Sequence, residues 1–244
     1  MIHIGIIGAE SPMGKLVLKQ VKEYKEKYCL CFKVDTSYQN SYQNATFKDV
    51  ENALLMLSPT LVLDFASPNT AYERAKVYQN YHIPAIMPMA GFDTEKIELL
   101  QTIRTAKASS PTLVIEPSFS LNQALAVNQA LQMLELLASD VAKIKFTFGS
   151  NDAQNFDFAP FLKFVDNKKK IQCLKNNQNE FSIDIILQHS HISISSSIEA
   201  NDLWRGLDML AEYVANNPTT GTASLHSGVI LTGILPHLVE RSLL

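Results

Sequence analysis

The chain has 244 residues, 46% of them hydrophobic, with 21 Lys and Arg against 24 Asp and Glu and a formal net charge of −3. That length buries a core without disulfide or metal staples, the charge balance leaves no basic footprint for nucleic acid, and no run of eighteen apolar residues marks a membrane span. Three cysteines, Cys29, Cys31 and Cys173, cannot all pair with one another, and Cys29-x-Cys31 lacks zinc-knuckle spacing. No metal is therefore expected, and the thiols are expected to lie buried or half-buried in a reducing cytosol.

The opening stretch to Gly8 is apolar but has no basic leader and breaks at Gly5 and Gly8. It reads as a strand over Ile2–Ile7, not an export signal, which places the protein in the cytoplasm by expectation. Met13–Lys25 carries apolar residues at helical spacing, and Leu30–Val34 reads as a second strand ending at Asp35. Phe47–Leu57 reads as a helix with Leu54, Leu55 and Leu57 inward, and Thr60–Phe65 as a third strand. Ser67-Pro68 supplies an N-cap and first-turn pair for a helix to about Tyr81. Ile83–Met87, a helix over Asp93–Lys107 and Thr112–Ile115 complete the first part. Strands separated by helices of this length form parallel βαβ units, so a doubly wound, Rossmann-like α/β sheet is predicted. Its ligands belong outside the carboxyl ends of the strands, at Gly8–Gly14, Asp35–Thr36, Phe65–Pro68, Met87–Gly91 and Glu116–Asn122.

Beyond Ser120 the pattern changes. Leu121–Ala138 reads as one long helix, followed by short alternating segments at Lys143–Phe148, Phe161–Val165, Lys170–Leu174, Phe181–Leu187 and His191–Ile198. These predict a smaller α+β part with an antiparallel or mixed sheet. Lys168-Lys169-Lys170 reads as a turn cap, and Tyr38–Asn44 and Asn176–Asn179 as loops. Asp202–Asn216 is a helix ended by Asn217-Pro218, and Val229–Leu244 is apolar. The expected division is residues 1–121 with 201–244 as a dinucleotide-binding domain and 122–200 as a substrate-binding and oligomerisation domain.

Gly8-Ala9-Glu10-Ser11-Pro12-Met13-Gly14 joins the first strand to the first helix. A dinucleotide fold uses glycine there for a tight turn and for close approach to a pyrophosphate at the helix N-terminus. Gly8 and Gly14 are present, but Glu10 stands where the middle glycine would be, with a carboxylate that repels phosphate. Asp35 closes the second strand, where an acid either accepts the ribose hydroxyls of NAD or is a solvated strand end. With no arginine near Asp35 in the chain, NADH is favoured over NADPH. His189-x-His191, read as lying on one strand, would share a face for metal binding, proton donation or packing. No G-x-S-x-G nucleophile elbow occurs.

Gly8…Met13-Gly14, Asp64-Phe65-Ala66-Ser67-Pro68, Ile86…Gly91-Phe92-Asp93 and Pro117-Ser118-Phe119-Ser120-Leu121-Asn122, in that order, resemble the dihydrodipicolinate reductase family of lysine and diaminopimelate synthesis. The resemblance resumes at Leu187-Gln188-His189 and Leu203-Trp204-Arg205. It implies a cytoplasmic homo-oligomer, tetramer or dimer, that passes hydride from NADH or NADPH to a cyclic imine dicarboxylate. It also implies cofactor contacts from Gly8, Ala9, Ser11, Met13, Asp35, Phe65, Ala66, Pro88, Met89, Ala90, Pro117, Ser118 and Phe119. The family's Gly-Thr-Thr-Gly reads Pro88-Met89-Ala90-Gly91 here, and its arginine before Met-Gly is Pro12. Its paired histidines, lysine and Pro-Ser-Gly-Thr segment are missing, and Thr147-Phe148-Gly149-Ser150-Asn151-Asp152 stands in their place. His189, His191 and Arg205 are the candidate replacements. The alternative is a catalytically inactive relative that binds nucleotide or serves assembly.

Overall fold

The computed structural model describes residues 1–35, 46–47, 50–88, 111–116, 118–137, 140–149, 164–165, 170–176 and 180–218. These group into two compact units, one from Met1–Glu116 with 208–218, the other from 118–207. The dividing point falls between Leu207 and Asp208, inside a helix. The expected helix over 93–107 and the apolar stretch 229–244 lie outside the described residues, as do 38–44.

The first unit is a six-stranded, all-parallel sheet. Its strands are β1 (Ile2–Ile7), β2 (Tyr28–Val34), β3 (Thr46–Phe47), β4 (Leu61–Asp64), β5 (Ala85–Pro88) and β6 (Leu113–Glu116), in the spatial order β3-β2-β1-β4-β5-β6. Parallel strands covered on both faces read as continuous apolar runs. All four residues of β4 and the last four of β1 are buried, as that rule requires. Helix α1 (Pro12–Glu23) follows β1, α2 (Val50–Leu57) precedes β4, and a 3₁₀ turn at Pro68–Thr70 leads into α3 (Ala71–Asn80). Ser67 Oγ accepts the Asn69 N–H at 3.3 Å, so the expected cap forms and serves the 3₁₀ turn.

Two expectations need correction here. Phe47 is a strand residue paired with Val34, and the helix begins three residues later at Val50. In α2 only Ala53 and Leu54 are buried, while Leu55 and Leu57 are exposed. Successive helical residues turn by about 100°, so a run of apolar residues cannot all face one core.

The second unit has helix α4 (Leu121–Leu137) and strands β7 (Val141–Gly149), β8 (Ile171–Asn176), β9 (Glu180–Leu187) and β10 (His191–Ser197), ordered β10-β9-β7-β8. The sheet is mixed: β7 runs parallel to β8 and antiparallel to β9, which is antiparallel to β10. Alternate residues Ile144, Phe146, Phe148, Phe181, Ile183 and Ile185 bury with Ala130 and Leu134 of α4. Phe164 and Val165 sit in a turn instead of the expected strand, and Cys173 is exposed on edge strand β8, not buried. Asn176 closes β8 instead of belonging to a loop. Cys29 and Cys31 are half-buried free thiols.

Helix α5 (Ala200–Asn216) serves each unit with a different half. In the second unit Asp202 accepts Ser120 Oγ at 2.5 Å and the Asn122 N–H at 2.7 Å, while Ser120 Oγ accepts the Gln123 N–H at 3.0 Å. The first turn of α4 is thus capped by a carboxylate and a hydroxyl. In the first unit Asp208 accepts Tyr28 Oη at 2.6 Å and Lys27 Nζ at 2.8 Å. Burial and then the Asp208 hydrogen bond push the Tyr28 hydroxyl well up from its ordinary range.

Gly206 of α5 packs against the backbone of Phe119, where a methyl group would overlap the Phe119 carbonyl oxygen. Gly206→Ala should therefore lower stability by about 1–3 kcal/mol, the usual cost of overpacking against backbone. A urea unfolding midpoint unchanged from the parent would contradict that close approach.

Candidate functional site

The site follows from register. Ile7 pairs with Val34 on one side and with Asp64 on the other. In parallel strands the next residues then leave the sheet side by side, so Gly8, Asp35 and Phe65 meet at its carboxyl edge. Strand order reverses direction at β1, the topological switch point where ligands of such sheets bind. An open cleft of about 880 Å³ lies there, with Val34, Val50, Phe65 and Val77 as apolar walls.

Gly8 sits at φ +70, where side chains are disfavoured. A Cβ on it would lie 2.5 Å from Ala66 N, so loop and β4 exit touch backbone to backbone. The loop is stitched internally: Gly8 and Ala9 N–H donate to the Val34 carbonyl, and Ser11 N–H to that of Gly8. Ser11 Oγ accepts the Gly14 N–H at 3.0 Å as N-cap of α1. Glu10 N–H donates to Asp35 Oδ2 at 3.0 Å, and the Glu10 carboxylate pairs with Lys15 at 3.2 Å.

The cleft's other wall rests on a buried network. Asp64, 1% exposed, accepts Arg74 Nε and Tyr78 Oη at 2.7 Å through Oδ2 and the Ala66 N–H at 3.0 Å through Oδ1. Arg74 also donates to Thr70 Oγ1 at 2.5 Å and to the Ser67 carbonyl at 3.0 Å. Burial alone would lower the Arg74 pKa, but the Asp64 carboxylate outweighs it and the guanidinium is held charged. Burial, and then Asp64, push the Tyr78 hydroxyl well up, so it stays a donor.

Of the residues expected to contact a cofactor, Gly8, Ser11, Asp35, Phe65 and Ala66 line the cleft. Ala9 is buried in the loop, Met13 is half-buried in α1, and Pro88 ends β5 half-buried. Ser118 and Phe119 group with the second unit, where Ser118 Oγ accepts the Ser120 N–H at 3.2 Å. Met89, Ala90 and Pro117 lie outside the described residues. His189 and His191 do not share a strand: His189 is in the turn after β9, His191 opens β10, and both are exposed. Among the described residues no group of three His, Cys, Asp or Glu is placed to hold a metal. No helix among them is long and apolar enough to cross a membrane.

Sequence reasoning missed Arg74, which does line the cleft although it is remote from Asp35 in the chain. Thr70, Arg74 and Tyr78 recur every four residues, one face of a helix, and that spacing after Asp64 was the available signal. The cleft also carries the carboxylates of Glu10, Asp35, Glu51 and Glu73. Glu51 accepts the Tyr81 hydroxyl at 3.0 Å. With Arg74 committed to Asp64, these four carboxylates leave the charged lining of the cleft mainly anionic.

Residues 2–119 match the family model described as dihydrodipicolinate reductase, N-terminus. Two curated 4-hydroxy-tetrahydrodipicolinate reductases are similar. That of Lysinibacillus sphaericus (strain C3-41) is 25% identical over 147 residues, covering 56% of this chain and 54% of the relative. That of Lawsonia intracellularis (strain PHE/MN1-00) is 24% identical over 141 residues, covering 57% and 53%. The match thus spans about half the length of each curated relative. Among solved structures, dipicolinate-bound dihydrodipicolinate reductase from Paenisporosarcina sp. TG-14 superposes with a TM-score of 0.68 at 14% identity, over 94% of this chain and 98% of that one. Myo-inositol 2-dehydrogenase from Lactobacillus plantarum superposes with a TM-score of 0.64 at 7% identity, over 98% and 96%. At these identities the superpositions establish the fold.

Arg74→Met strands the Asp64 carboxylate without its cation, which should cost about 3–5 kcal/mol of stability. Adding Asp64→Asn removes the orphaned charge and should recover part of that loss in chemical denaturation. Equal losses for the single and double variants would show that the ion pair is not what holds this wall.

Proposed function

We propose, from the premise that residues 2–119 belong to the dihydrodipicolinate reductase family, that the chain is an NADH-dependent reductase acting on a cyclic imine dicarboxylate. The observation that carries this reading is the gathering of Gly8, Asp35 and Phe65 around one cleft at the switch point. The residues fit the adenosine half of a nicotinamide dinucleotide. Apolar walls from Val34, Val50 and Val77 suit a purine, and the Asp35 carboxylate suits ribose hydroxyls. Gly8, with no room for a side chain, lets the chain turn tightly beside the pyrophosphate position. When bound, the cofactor supplies the hydride. The residues of this chain bind and orient it, and the carboxylates at the rim select against a ribose phosphate, which favours NADH over NADPH. A homo-oligomer in the cytoplasm, as the family resemblance implies, belongs to the same proposal.

One observation favours a second reading, a nucleotide-binding relative without turnover. Thr147-Phe148-Gly149, at the position of the family's paired histidines, forms the end of β7, and Phe148 is 1% exposed in the core. A buried phenylalanine cannot donate a proton to an imine nitrogen. The exposed His189 and His191 lie on the β9–β10 hairpin and are the remaining histidine candidates in the second unit among the described residues.

Fluorescence titration of the full chain with NADH and NADPH separates these cases. The proposal predicts micromolar NADH binding, at least about tenfold tighter than NADPH, since a like charge against a fixed carboxylate is strongly disfavoured. NADH consumption with the cyclic imine then supports the reductase, and NADH binding without consumption supports the inactive relative. Failure to bind either cofactor would sink both.

A further inference from the structure

Glu10 is the residue that breaks the glycine pattern, and the structure holds it at both ends. Its N–H is bound by Asp35 Oδ2 and its carboxylate by Lys15. The other loop bonds are local, made to Gly8, to Ser11 or to the adjacent strand end at Val34. The Glu10 N–H to Asp35 Oδ2 bond ties the loop backbone to a side chain contributed from 25 residues away in sequence. Pro12 has no N–H to add.

We infer that Asp35 is a positioning residue for the phosphate loop, acting through the Glu10 N–H, in addition to any contact it makes with ribose. The inference rests on the dinucleotide reading above and deepens it. A chain with glycine in the middle of this loop keeps the backbone close to the pyrophosphate by having no side chain. Here a glutamate occupies that place, and a loop free to shift would carry its carboxylate toward the phosphates. Fixing the Glu10 amide on Asp35 sets the loop backbone, and the Lys15 pair partly neutralises the carboxylate.

Two effects of removing Asp35 then oppose each other. Loss of its negative charge relieves repulsion and favours phosphate-bearing ligands. Loss of the anchor releases the loop and disfavours them. A charge-assisted hydrogen bond to backbone is the stronger contribution at this range, so the net result is a loss that grows with the phosphates of the ligand.

The test is calorimetric titration of the full chain and its Asp35→Ala and Asp35→Asn variants with adenosine, ADP-ribose and NADH. Asp35→Ala is expected to weaken adenosine and to weaken ADP-ribose and NADH by a further factor of about ten. Asp35→Asn keeps an oxygen that can accept the Glu10 N–H, so it should restore most of that further factor, although the bond is no longer charge-assisted. A general folding defect would not discriminate between ligands or be rescued by asparagine. Equal weakening of all three ligands by Asp35→Ala, or a relative gain for ADP-ribose, overturns the anchor and leaves the dinucleotide reading standing. Failure of the parent chain to bind ADP-ribose and NADH takes down both.

Discussion

The site depends on one close approach, the backbone of Gly8 against that of Phe65 and Ala66. Gly8 turns the chain at positive φ directly after β1, and no side chain fits between it and the β4 exit. The approach holds because both segments are fixed from behind. Strand register carries Gly8, Asp35 and Phe65 to the same edge. The buried Asp64 then ties down the Ala66 amide while Arg74 ties down the Ser67 carbonyl. A carboxylate this deeply buried persists only when paired and hydrogen-bonded, and Arg74, Tyr78 and Ala66 supply those partners. The cost of burying an ion pair is thus tied to the shape of the cleft wall.

That arrangement also sets the cleft's electrostatics. The arginine in its wall is committed to Asp64, Thr70 and Ser67, and the remaining charged groups lining it are carboxylates. Within the proposed dinucleotide reading, this charge pattern is what favours free ribose hydroxyls over an added phosphate. The second unit is organised by the same economy of caps and packing. Asp202 and Ser120 satisfy the start of α4, and three phenylalanines, Phe146, Phe148 and Phe181, form the centre of its core. Their rings contact one another at centroid separations of 6.2 and 5.3 Å.

Much of this was legible in the sequence. Apolar runs ending in glycine or an acid marked β1, β2 and β4, and the alternation of strand with helix fixed the parallel topology. The ends of the buried strands also located Gly8, Asp35 and Phe65. Local pattern failed where tertiary partners decide. Phe47 became an edge strand because Val34 offers it a ladder, and Leu55 is exposed because a short helix buries a single narrow face. Arg74 was missed as a cleft residue because its partner is a strand-end aspartate ten positions earlier, across a turn, and only the four-residue spacing of Thr70, Arg74 and Tyr78 hints at it. His189 and His191 looked like one strand because spacing alone cannot show that the chain reverses between them.

Amide hydrogen exchange of the full chain, measured with and without saturating NADH, tests the central claim most directly. If the cleft at the switch point is a dinucleotide site, NADH slows exchange at Gly8–Met13, at Val34–Asp35 and at Phe65–Ser67, the three segments that the register brings together. Bound NADH with no protection in those segments, or no effect of NADH anywhere, contradicts the account.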